Sequence, residues 1–110
     1  MKIYSYEKDI EFPPANNHLG GALIDKSNGA KNGFCIGISY YTSSEYSTPG
    51  IHEDQEGFYV LEGSGTAKVG DEEFKVFPGG AFIATNGVPH TIKKDVNEKY
   101  IKILWSHGAV

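Results

Sequence analysis

The chain has 110 residues and a formal net charge of −4, and no apolar run approaches the ~20 residues of a membrane-spanning helix, so it reads as one domain, residues 1–110, with no membrane partner. All ten basic residues are lysine, and arginine, the usual bidentate reader of phosphate and carboxylate, is absent. An acidic chain without a basic stripe argues against nucleic acid, and the missing arginine disfavours a phosphate or sugar-nucleotide clamp.

In chain order, residues 1–20 read as an N-terminal arm or strand. Met1-Lys2-Ile3-Tyr4 does not open a signal peptide. The β-prone residues are Ile3, Tyr4, Tyr6, Ile10 and Phe12, and Pro13-Pro14 stops regular pairing because neither residue has an N–H to donate. Asn16-Asn17-His18-Leu19-Gly20-Gly21 reads as a loop ahead of the short apolar run Ala22-Leu23-Ile24. Ser-Asn-Gly and Asn-Gly within residues 25–33 are turn signals. Residues 34–41 alternate, with Phe34, Ile36, Ile38 and Tyr40 on one face of a strand. Cys35 within it reads as a small core residue, and a single cysteine with no possible internal disulfide points to a reducing, cytoplasmic location.

Residues 50–63 hold the first candidate chemistry. A straight strand would separate His52 from Glu56 by ~13 Å, too far for one ion. If Glu53-Asp54-Gln55 is a hairpin loop, the two become cross-strand neighbours with Cβ atoms ~5 Å apart, near enough to share a divalent cation. Without a third ligand, polar residues flanking a hairpin are the simpler reading. Phe58-Tyr59-Val60-Leu61 is apolar on both faces, one for a core and one for a second layer or subunit. Gly70-Asp71 predicts a two-residue hairpin between residues 65–69 and 72–77. Further turns precede strands at residues 81–84, 91–93 and 99–105, the last with Ile101, Ile103 and Trp105 on one face. No segment carries a 3.6-residue period, so the fold class is all-β, a sandwich or barrel.

Two stretches resemble the motifs of the cupin family. The first family motif is His-x-His, three or four residues, Glu, six residues, Gly; here it reads His52-x3-Glu56-x6-Gly63, with Gly50 where the family has its first histidine. The second is Gly-x5-Pro-x-Gly-x2-His; here it reads Gly79-x5-Thr85-x-Gly87-x2-His90, with Thr85 in place of proline and Lys94 in place of a later asparagine. The resemblance covers residues 50–93 and implies a single antiparallel β-barrel or jelly roll. It also implies that His90 joins His52 and Glu56 as a metal ligand. Two histidines and one carboxylate, one histidine short of the family set, suit a divalent Fe, Mn, Zn or Ni and leave open positions for water or substrate. Two functions are implied. One is a small metal-dependent enzyme acting on an oxygen-rich small molecule: an organic acid, a sugar derivative or an O2-dependent substrate. The alternative is a non-catalytic small-molecule binding or sensing module. No catalytic residue beyond the metal set is assigned.

The remaining candidates carry structural readings. Glu62 belongs to the barrel rim, and Asp54 and Gln55 to the loop, from which either can swing toward an ion. His18 and His107 lie outside both motifs and read as solvated surface residues. A homodimer is expected, with Tyr59 and Leu61 at the subunit contact and the N-terminal arm available to the partner's edge strand.

Overall fold

The computed structural model describes residues 1–15 and 18–110 of the chain. Among the described residues nine strands follow in order: β1 (Pro14–Ala15), β2 (His18–Ile24), β3 (Cys35–Tyr41), β4 (Gln55–Glu62), β5 (Gly65–Val69), β6 (Glu72–Val76), β7 (Ala81–Ala84), β8 (His90–Lys94) and β9 (Ile101–Gly108). Two short 3-10 turns lie at Glu7–Asp9 and Lys26–Asn28, the second capped by the Asp25 carboxylate. No helix among the described residues is long and apolar enough to cross a membrane.

All strand pairings are antiparallel, and they form two sheets, ordered β1-β2-β3-β9-β4-β7 and β6-β5-β8. The all-β expectation holds, whereas hydrogen bonding among the described residues does not close a single barrel. The sheets instead share one core. Tyr41, Phe58, Val60, Ala84, Ile101 and Ile103 come from the larger sheet, and Ala67, Val76 and Ile92 from the smaller. On β4 the period-2 alternation puts Phe58 and Val60 inward at 4% and 0% exposure and leaves Tyr59 and Leu61 outside. Phe58 stacks on Phe82 of β7 with ring centroids 4.5 Å apart.

Several local expectations are revised. Residues 53–55 do not make a hairpin: Gln55 already begins β4, and the preceding segment crosses to the smaller sheet, where Gly50 bridges His90. Pro14 does enter a ladder, opposite Leu19, because an edge strand needs no donor from it on the solvent side. His18 to Gly21 is strand rather than loop; Asn16 and Asn17 of that expected loop lie outside the described residues.

The N-terminal arm lies across the outer face of its own sheet. The Ser5 hydroxyl donates to the Leu23 carbonyl at 2.6 Å, Phe12 packs edge-on against Tyr40, and Tyr40 donates to Glu7 at 2.9 Å. Gly21 permits this approach, since a Cβ there would press on the Glu11 carbonyl and the Ile10 and Phe12 side chains. With the arm outside and the core inside, β3 is covered on both faces, and Ile38 and Ser39 are both buried.

Candidate metal centre

Glu56 is the second residue of β4, in register with Ala84 on β7 and His107 on β9. It faces the core side and is only 7% exposed. His90 opens β8 in the other sheet. Its backbone exchanges two hydrogen bonds with Gly50, each 2.9 Å, which fastens residues 50–54 across the gap between the sheets. The Gly87 amide donates to the His52 carbonyl at 2.8 Å and fixes the next turn of that crossing segment. His52 therefore reaches Glu56 from a connecting segment rather than from a paired strand.

The three residues named by the two motifs converge. His52 Nε2 lies 3.5 Å and His90 Nε2 3.3 Å from Glu56 Oε1, and one donor atom from each residue fits within 4.8 Å of the others. His90 Nδ1 sits 3.3 Å from the Val88 carbonyl, which can only accept. A proton on Nδ1 would donate to that carbonyl and leave the Nε2 lone pair for an ion in the cluster. Glu56 Oε1 is buried and makes no hydrogen bond among the described residues. A buried carboxylate oxygen without a donor is costly. Two imidazole nitrogens beside it supply the donor set that a divalent transition metal takes, so the residues fit such an ion.

His107 and Asp54 complete the surroundings. His107 Nε2 lies 3.3 Å from Glu56 Oε2, while its Nδ1 is 3.0 Å from Asp54 Oδ2 and 3.1 Å from Oδ1. Asp54 thus engages a histidine instead of the cluster, and the Gln55 amide donates to the Ala109 carbonyl at 2.8 Å. The surface reading of His107 does not hold: its side chain is 16% exposed and its ring is 5.1 Å from that of His52. The missed signal is the period of β9, where Ile101, Ile103 and Trp105 already share the inner face and the next step is His107.

His18 is likewise half-buried, its ring 5.0 Å from Tyr41. With Ser39, Tyr41, Ser47, Thr48 and Trp105 it lines a cavity of about 490 Å³ that opens onto the cluster. Trp105 Nε1 donates to Ser39 Oγ at 2.9 Å and orients that wall. Burial lowers the His18 pKa, partly opposed by the Glu56 charge. Burial also pulls His90 down, but its contacts with Glu56 and with the Val88 carbonyl outweigh this and leave it raised. Burial, helped by the Glu56 charge, pushes the Tyr41 hydroxyl well up, so it stays protonated. Glu62 lies away from the centre, accepting from Tyr100 at 3.1 Å.

A family model described as the cupin domain matches residues 39–107, from β3 to His107. No curated protein matches the chain. Among solved structures, it is similar to the cupin domain of Cnp3 from Schizosaccharomyces pombe, with a TM-score of 0.72 and 17% identity over 90% of this chain and 67% of that one. It is similar to the polyketide cyclase RemF from Streptomyces resistomycificus, with a TM-score of 0.75 and 23% identity over 93% and 76%. It is also similar to HppE, described with Fe(II) and substrate, with a TM-score of 0.76 and 18% identity; the match covers 93% of this chain and 57% of HppE. At such identities these likenesses speak for the fold, and the family model, spanning well over half the chain, speaks for kinship. The chain belongs to the cupin family.

Proposed function

We propose that His52, Glu56 and His90 hold one divalent transition metal, Fe, Mn, Zn or Ni, and that this jelly-roll cupin is a small metal-dependent enzyme. Its substrate on this reading is a small oxygen-rich organic molecule: an organic acid, a sugar derivative or an O2-dependent substrate. The observation that carries the proposal is Glu56 Oε1, buried without a hydrogen bond beside two imidazole nitrogens. HppE with Fe(II) and the cyclase RemF support it as relatives in fold.

When bound, the metal supplies Lewis acidity that polarises a substrate oxygen. The chain's own residues set the rest. His90 is oriented by the Val88 carbonyl, and Gly50 leaves the side facing His52 and His90 free of a further protein ligand. Ser39 and His18 offer polar contacts in the cavity lining, and Tyr41 and Trp105 offer flat apolar walls. Among the described residues no lysine lines the cavity, which suits a ligand oriented by chelation and hydrogen bonds rather than by a cationic clamp.

The test is metal titration of the wild type and His90→Ala, followed by turnover and O2 uptake on panels of small acids and sugars. Stoichiometric binding by the wild type alone, with turnover of one class, is expected. Binding of a small molecule without turnover would move the protein to the sensing reading. Equal metal content in both proteins would overturn the centre itself.

A further inference from the structure

The two oxygens of Glu56 have different company. Oε1 faces His52 and His90 and makes no hydrogen bond among the described residues. Oε2 faces His107 Nε2 at 3.3 Å, and the far side of that ring is held by both oxygens of Asp54. We propose that His107, braced by Asp54, is a positioning residue that fixes the Glu56 carboxylate so that Oε1 alone is presented to the metal. This inference rests on the reading of His52, Glu56 and His90 as the metal ligands, and neither His107 nor Asp54 belongs to the two motifs that carry that reading.

Strand register makes the arrangement rigid. Glu56 and His107 are directly opposed across β4 and β9, and Asp54 precedes Glu56 by two residues, so it reaches the same ring from the end of the strand. His107 lies outside the tight three-residue cluster, and its Nε2 lies 3.3 Å from Oε2, not from the oxygen beside the two ligand histidines. It acts on the carboxylate and not on the ion. A glutamate free to turn about its last bond would spread its two oxygens over several orientations, and ordering them on binding would cost affinity. Groups that hold a metal's ligands in place are commonly worth 10- to 100-fold in metal affinity.

The experiment is Co(II) titration of the wild type, His107→Ala, His107→Gln and Asp54→Ala, with X-ray absorption on the loaded forms to count imidazole ligands. The metal-free melting temperature of each variant serves as the folding control. His107→Ala is expected to bind about 10- to 100-fold more weakly with the imidazole count unchanged. His107→Gln, whose amide can still donate to Oε2, should recover most of the affinity, and Asp54→Ala should lose part of it. Asp54 lies at the strand end, so its variant carries the test if His107→Ala does not fold. Unchanged affinity in His107→Ala and Asp54→Ala overturns the inference while leaving the metal centre standing. Loss of one imidazole from the His107→Ala spectrum overturns it as well, by making His107 a ligand. Absence of Co(II) binding by the wild type overturns the metal reading and this inference together.

Discussion

Position 50 sets how many protein atoms the centre can offer. Both backbone groups of Gly50 are bonded to His90, so any side chain introduced there has a fixed direction. A Cβ would lie 3.3 Å from His90 Nε2, tight enough that this ring must yield by a few tenths of an ångström, and 3.7 Å from His52 Nε2, an ordinary van der Waals contact. Gly50→His should therefore add an imidazole to the centre and tighten metal binding by about tenfold, roughly 1.4 kcal/mol, as read by competition with a chelator. Any turnover that uses the vacated position should fall in the same variant. Weaker binding would mean that the enforced ring shift costs more than the new ligand contributes. The three motif residues were legible in the sequence because family spacing names them one by one. His107 was legible only through the period of its strand, since no motif reaches it. Asp54 was not, because a loop carboxylate declares no direction until β9 is laid beside β4.

At the scale of elements, the segment before β4 is where sequence reasoning went astray. Three polar residues between two candidate ligands looked like a hairpin loop, yet Gly50 pairs with His90 and Gln55 with Gly108, in different sheets. A contact made across two sheets leaves no local pattern for turn chemistry to reveal. The Gly70-Asp71 hairpin, whose partners Val69 and Glu72 are separated by only those two residues, was readable for the opposite reason. The N-terminal arm supplies a prediction of its own. Lys102 Nζ lies 2.9 Å from Glu7 Oε2, and that bond, opposed by slight desolvation and reinforced by Tyr40, lowers the Glu7 pKa. A carboxylate depressed in the folded state contributes stability above its unfolded pKa, and the contribution fades as pH falls through the folded value. Amide exchange in residues 1–12 should accordingly quicken below the ordinary carboxylate range, and Glu7→Gln should reproduce the effect at neutral pH. Because Glu7 is partly exposed, the cost is about 0.2–1 kcal/mol. Exchange in the arm that ignores both changes would show that Phe12 and Ser5 hold it without the ion pair.

For the whole molecule, the outer face of β4 and β7 carries Tyr59, Leu61 and Ile83 exposed, and β7 is the edge of its sheet. We propose that a second copy covers this face, giving a homodimer; the arm, occupied on its own sheet, is not needed for the contact. Sedimentation at tens of micromolar should give twice the 12.0 kDa of one chain, and Tyr59→Lys should halve it. A wild type that sediments as a single chain would remove the dimer and leave the metal centre untouched. That centre is tested most directly by thermal unfolding of the wild type and His90→Ala, each with excess divalent metal and with chelator. Metal at 100 times its dissociation constant stabilises the folded state by about 2.7 kcal/mol, which for a domain of this size is a shift of roughly 10 °C or more. The expected result is that shift in the wild type, its loss as acid protonates the imidazoles, and no shift at all in His90→Ala. A wild-type melting temperature that is the same with metal and with chelator, or a shift that survives His90→Ala, would contradict it.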